Sequence, residues 1–91
     1  MSLSRRNPRR DGNEKPIVEA LERMGVVVWR VSSAGIPDLL TWYRGKWLPI
    51  DVKSKGGTLT REQEKRWSDV PVFTVESVDD ALFLFGVKRP R

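Results

Sequence analysis

Apolar residues recur at Ile17, Val18, Leu21 and Met24, the three- and four-residue spacing of one helical face. The pattern predicts a helix from about Glu14 to Met24. Asn13 is its expected N-cap, Pro16 is placed in the first turn, and Gly25 is the stop. At about 100° per residue, Glu14 falls in the middle of the apolar stripe, while Glu19, Glu22 and Arg23 point away. Glu14 is therefore the one acid of this helix aimed at the core side.

The pattern then changes period. Val26 to Val31 is β-branched and aromatic, which predicts a strand. Small residues from Ser32 to Pro37 read as a loop. Asp38 to Tyr43 and Lys46 to Ser54 are two further strands around a tight Arg44-Gly45 turn, and Pro49 hints at a bulge or an edge position. Lys55-Gly56-Gly57 is a loop. Thr60 and Gln63 have capping-box spacing and open a helix to about Ser68. Val70 to Val75 predicts a fourth strand. Ser77 caps a last helix, Val78 to Phe85, ended by Gly86. The expected class is α/β, in the order α-β-β-β-α-β-α. The long connection through the second helix lets the fourth strand join in parallel, giving a mixed sheet flanked by helices.

Composition narrows the chemistry. The 91 residues suffice for one domain. Cysteine and histidine are both absent. Disulfides, thiolate or imidazole metal sites and Ser-His-Asp or Cys-His catalysis within one chain are thereby excluded. A metal bound here would need oxygen ligands, which favours magnesium, manganese or calcium. No run of about 18 apolar residues and no signal-type segment is visible, so a soluble, cytoplasmic protein is expected.

The net charge of +5 is unevenly placed. Arg5, Arg6, Arg9 and Arg10 lie in the first ten residues without an acid, and Lys88, Arg89 and Arg91 close the chain. Between Asp11 and Val87 there are ten basic and twelve acidic residues. The expected organisation is a basic arm at 1–12, a folded domain at 13–87 and a basic tail at 88–91. Basic arms on a near-neutral domain suit a polyanion, because lysine and arginine displace counterions from phosphates. A solubilising tail is the plain alternative. Arg5, Arg6, Arg9, Arg10 and Lys55 are the candidate nucleic-acid contacts.

Strand alternation singles out one constellation. Asp51 and Lys53 share a face, while Ile50 and Val52 take the opposite one. A two-residue Arg44-Gly45 loop would pair Tyr43 with Lys46 and set Asp38 across from Asp51. A three-residue loop would shift that register. Facing carboxylates repel, so the first register calls for a cation or a shared proton. A divalent ion held by Asp38, Asp51, a backbone carbonyl such as that of Val52, and waters meets the need. Such a metal acts as a Lewis acid and acidifies its water. Lys53 would then orient water or offset charge developing on a phosphate. Glu14 is a candidate further ligand, directly or through water. Each residue also has an ordinary reading: Asp38 as a strand start, Asp51 and Lys53 as a solvated strand face, Glu14 as a helix-dipole acid, and Gln63 as a cap. The four tryptophans read as core or interface before base-stacking platforms.

Gly35-Ile36-Pro37-Asp38-Leu39-Leu40, Ile50-Asp51-Val52-Lys53 and Leu59-Thr60-Arg61-Glu62-Gln63 together resemble the PD-(D/E)XK nuclease superfamily, specifically its VRR-NUC (virus-type replication-repair nuclease) branch. The resemblance spans about Asn13 to Gly86. It implies a restriction-endonuclease-like core. It also implies Asp38 and Asp51 as ligands of Mg2+ or Mn2+, Lys53 as the catalytic lysine, Gln63 beside the site, and Glu14 as the first-helix acid. The branch mostly carries glutamate where this chain has Asp51. Free-standing small members look like phage or bacterial proteins, which implies the cytoplasm of a bacterial or phage-infected cell, and some are similar to Holliday-junction resolvases that act as homodimers, which implies branched DNA as substrate and a second copy as partner. Two other readings are a DNA-binding module that keeps the fold without cutting, and a partner-binding domain with tryptophan patches as its interface.

Overall fold

Seven elements follow one another in the expected order: α1 (Pro8–Arg23), β1 (Val27–Arg30), β2 (Leu39–Tyr43), β3 (Lys46–Val52), α2 (Arg61–Arg66), β4 (Phe73–Val75) and α3 (Val78–Leu84). This computed structural model describes residues 8–33, 35–54 and 57–87, with the backbone alone for 8–12. The chain forms one α/β unit with a four-stranded mixed sheet. Its strand order is β1-β2-β3-β4, with the first two pairings antiparallel and β3–β4 parallel.

The hairpin obeys the two-residue turn. Arg44 and Gly45 both have positive φ, the conformation whose twist matches antiparallel strands. Tyr43 pairs with Lys46, and the ladder runs to Leu39 against Ile50. Pro49 sits in β3 opposite Leu40 without a bulge. It is tolerated because β4 joins only at Ile50, so that flank of β3 is locally an edge.

Alternation gives the sheet two unlike faces. Leu39, Ile50, Val52 and Val75 pack beneath Ile17, Val18 and Leu21 of α1 and Ala81 of α3, and these residues form the buried core. Thr41 is buried on the same face and satisfies its hydroxyl by donating to the Leu48 carbonyl at 2.7 Å. The opposite face carries Asp38 and Asp51 at one end and Trp42 and Trp47 at the hairpin end. α2 is tied to the loop before β2 by its C-cap residue Trp67, which is buried and whose indole N–H donates to the Gly35 carbonyl at 3.0 Å.

Two element starts, those of α1 and β4, differ from the sequence pattern by several residues. α1 begins at Pro8, so the backbone of residues 8–12, expected in a basic arm, is helical. Pro16 is then mid-helix, where it withholds one N–H from the Gly12 carbonyl without ending the helix. Asn13 is therefore inside α1 and is not its N-cap. β4 is shorter than Val70 to Val75. Pro71 has no N–H to give, and the Val72 N–H is spent on the Val70 carbonyl at 3.0 Å. Residues 1–7 and 88–91, including Arg5, Arg6, Lys88, Arg89 and Arg91, lie outside the described residues, as does Lys55. Among the described residues no helix is long and apolar enough to cross a membrane.

Candidate functional site

The acid pair is assembled by register. Continuing the β2–β3 ladder one step past Leu39 and Ile50 sets Asp38 beside Asp51. Both are buried, at 5% and 4% exposure. Asp38 reaches across to β3, where its Oδ2 accepts the Val52 N–H at 2.8 Å. Its own carbonyl accepts from Val31 at 2.8 Å, so the β1–β2 pairing continues through the residue. Asp38 is thus fixed from both sides by backbone.

Asp51 is met by a cation from its own strand. The Lys53 ammonium lies 2.9 Å from Asp51 Oδ2. The repulsion expected of facing carboxylates is therefore relieved by two separate donors: the amide of Val52 at Asp38, and the ammonium of Lys53 at Asp51. A divalent ion is one way to stabilise the pair, and the lysine is another.

Lys53 is itself held along its whole length. Its N–H donates to the Val75 carbonyl at 2.9 Å, and its carbonyl accepts from Asn13 Nδ2 at 2.7 Å. Its ammonium donates to Gln63 Oε1 at 2.8 Å. That same oxygen accepts the Thr60 N–H at 3.0 Å, while Thr60 Oγ1 accepts the Gln63 N–H at 3.1 Å. The capping box anticipated from spacing is present, and its glutamine oxygen is shared with the lysine. A local helix-start motif thereby sets the position of a charged group on the sheet.

Glu14 faces the sheet as its helical phase required, and it is buried. Its Oε2 accepts from Arg30 Nε at 2.8 Å. Among the described residues no three acids converge into one cluster, so Glu14 is not gathered with Asp38 and Asp51. Arg30 and Asn13 were missed by the sequence pattern. Both partners are far away in sequence, at Glu14 and Lys53, and no spacing rule links them. Arg9 and Arg10 fall on the helical backbone of α1, where their side chains lie outside the described residues.

An open groove adjoins the lysine, lined by Gly35, Thr60, Glu62, Gln63, Lys65 and Arg66. Gly35 has a φ of 81°, and an added Cβ there would meet the Arg66 guanidinium at 3.1 Å. Glycine at this position lets the loop before Asp38 pass close beneath α2.

The donor chemistry at the acid pair is all oxygen. Two buried carboxylates with a neighbouring backbone carbonyl match the habit of magnesium, which takes one or two carboxylates and keeps several waters. The residues present therefore fit such an ion. Compared with protein-family models, with curated proteins and with solved structures, the chain matches none.

Proposed function

We propose that the protein is a divalent-metal-dependent DNA endonuclease of the VRR-NUC type, with a restriction-endonuclease-like core and branched DNA as its preferred substrate. One observation carries this reading: Asp38 and Asp51 are buried side by side, with the ammonium of Lys53 on the same face. Neighbouring buried carboxylates are costly without positive charge or hydrogen-bond donors; Lys53 and the Val52 amide serve them here, and such a pair beside a lysine suits phosphodiester hydrolysis.

Asp38, Asp51 and the Val52 carbonyl would hold Mg2+ or Mn2+, which supplies Lewis acidity and a more acidic water. The chain's own residues do the rest. Val52, through its amide, keeps Asp38 turned toward β3. Lys53 places a positive charge where charge develops on a phosphate oxygen. Gln63 fixes that ammonium from α2. The basic residues of the first helix and the terminal segments would meet the DNA backbone.

The test is cleavage of labelled linear, flap and four-way-junction DNA with magnesium, manganese or EDTA. Wild type is expected to cut with metal and to be silent in EDTA, and Lys53→Ala is expected to lose about 10²- to 10³-fold in kcat. Absence of cutting on every substrate with either metal would overturn the reading. If binding persisted with its steep salt dependence, a non-cutting DNA-binding module would take its place.

Gln63 allows a finer experiment, since cap and lysine share its oxygen. Thr60→Ala should cost about 1 kcal/mol of stability through the lost cap, and cleavage should be retained. Gln63→Ala should cost a similar amount and also slow kcat about tenfold with KM unchanged. Gln63→Glu, which keeps an acceptor for Lys53, should restore the rate. Thermal melts with single-turnover kinetics separate the two roles, and equal rates in Thr60→Ala and Gln63→Ala would remove the positioning role.

A further inference from the structure

α1 and α3 cover one face of the sheet with the core between them. On the opposite face three indoles form a row. Trp42 pairs with Trp47 in the β2–β3 ladder, and Trp29 shares their face from β1 by register and alternation. Trp29 is 56% exposed, Trp42 38% and Trp47 47%. Trp47 stands between the other two, with ring centroids 5.1 Å from Trp29 and 5.0 Å from Trp42. The rings are tilted by 53° and 56° to one another. They lean together without stacking, so each keeps ring surface open to water. Asp38 and Asp51 lie on this same face, toward the other end of the strands.

We infer that the indole row is a binding surface for the unpaired bases of single-stranded DNA, which stack on the rings as the strand leaves the acid pair. The course of that strand rests on the nuclease reading, while the binding itself needs no cutting. Stacking on an aromatic ring tolerates any sequence, because every base has a π-face. Asp51 is four residues beyond Trp47 on β3, about 13 Å at the rise of a strand. A DNA strand held at the acid pair therefore reaches the indoles within a few nucleotides.

Charge selects this occupant. Single-strand sites combine stacking rings with cations that follow the backbone. From Leu39 to Ile50 the chain carries Arg44 and Lys46 and no acid. Both cations are exposed at the hairpin turn, and among the described residues neither is in an ion pair. Toward the opposite end, Lys65 and Arg66 line the groove beside Gln63. They too have no ion pair among the described residues. The row thus runs between two groups of unpaired cations, in a chain whose net charge is +5. A protein partner finds less to hold. The three indoles together expose roughly 350 Å2, taking about 250 Å2 as the surface of a full side chain. That is under half of the roughly 800 Å2 that each side of a standard protein complex buries.

The consequence is a choice among branched forms. A flap offers unpaired bases next to the branch point, and a fully paired four-way junction offers none. The indole row therefore favours substrates with a single-stranded arm.

The test is binding of the full chain in EDTA, where no metal supports cutting. The probes are a labelled oligothymidylate of about 12 nucleotides, within the span of known single-strand sites, and a blunt duplex of the same length. Anisotropy reads affinity, and indole fluorescence reads contact. Oligothymidylate should quench the exposed indoles and bind more tightly than the duplex. Trp29→Ala and Trp47→Ala should each lose about tenfold in single-strand affinity, with duplex affinity unchanged. Trp47→Phe, which keeps a ring, should recover most of that loss. Arg44→Ala should lower the salt dependence of single-strand binding. Circular dichroism checks that each variant is folded. No binding of the single strand overturns the inference, as does equal affinity in wild type and both folded alanine variants. A dimer in sedimentation that the same alanine variants dissociate also overturns it, since a second copy would then cover the face. Tryptophan-dependent binding without cutting on any substrate would leave this inference standing and remove the nuclease reading. Cutting with single-strand binding indifferent to the tryptophans would do the reverse.

Discussion

Asp38→Asn is expected to reduce metal-dependent cleavage by at least about 10³-fold, or about 4 kcal/mol of transition-state stabilisation, while leaving the fold nearly as stable as wild type. The reasoning starts from the bond between Asp38 Oδ2 and the Val52 amide. An asparagine oxygen accepts that N–H as a carboxylate does, so the Val52 amide keeps its partner. What is lost is the negative charge, and with it half of the acid pair that would hold a hard cation. Asp38→Ala is the contrasting variant. It also removes the acceptor and leaves the Val52 N–H buried without that partner, at a cost of about 1–3 kcal/mol. Comparing the two separates chemistry from folding. Cleavage by Asp38→Asn at the wild-type rate would remove Asp38 from the catalytic role and the acid pair from the metal site.

Leu21→Ala is expected to destabilise the domain by about 3 kcal/mol, near the middle of the range for buried leucines, and to lower Tm by more than about 10 °C. Leu21 is fully buried in the cluster that joins α1 to the sheet and α3. The wild-type stability of a chain this size is about 5–14 kcal/mol, so one truncation removes a large share. The effect reaches the site. α1 holds the Lys53 carbonyl through Asn13, and loosening the helix loosens that anchor. Thermal and urea melts read the stability term. A loss under about 1 kcal/mol would mean that α1 contributes little to the core.

The parts of this architecture that follow from local rules were legible in the sequence. Hairpin register follows from the length of the Arg44-Gly45 turn, and it set Asp38 beside Asp51. Alternation placed Lys53 with Asp51 and put Ile50 in the core. Thr60 and Gln63 announced a capping box. Contacts that join remote segments were not legible: Asn13 to Lys53, and Arg30 to Glu14. The start of α1 was misplaced because Pro16 reads as a first-turn residue, yet a helix held by its packed face can run through one missing hydrogen bond. The tryptophans are a middle case. Trp42 shares parity with Asp38, and Trp47 with Asp51, so their common face was implicit in the numbering. What alternation lacks is the knowledge of which face the helices cover, and that depends on the packing of α1 and α3.

The two-residue hairpin turn has a consequence for how this protein can vary. Exposed loop tips ordinarily tolerate insertions. Here one added residue must either be absorbed as a bulge or slide β3 by a single step against β2. A slide exchanges the faces of the whole strand, turning Ile50 and Val52 toward Asp38 and burying Asp51 and Lys53 beneath α1. An exposed bend of the sheet, several residues from Asp38 and Asp51, is therefore among the segments least free to change length.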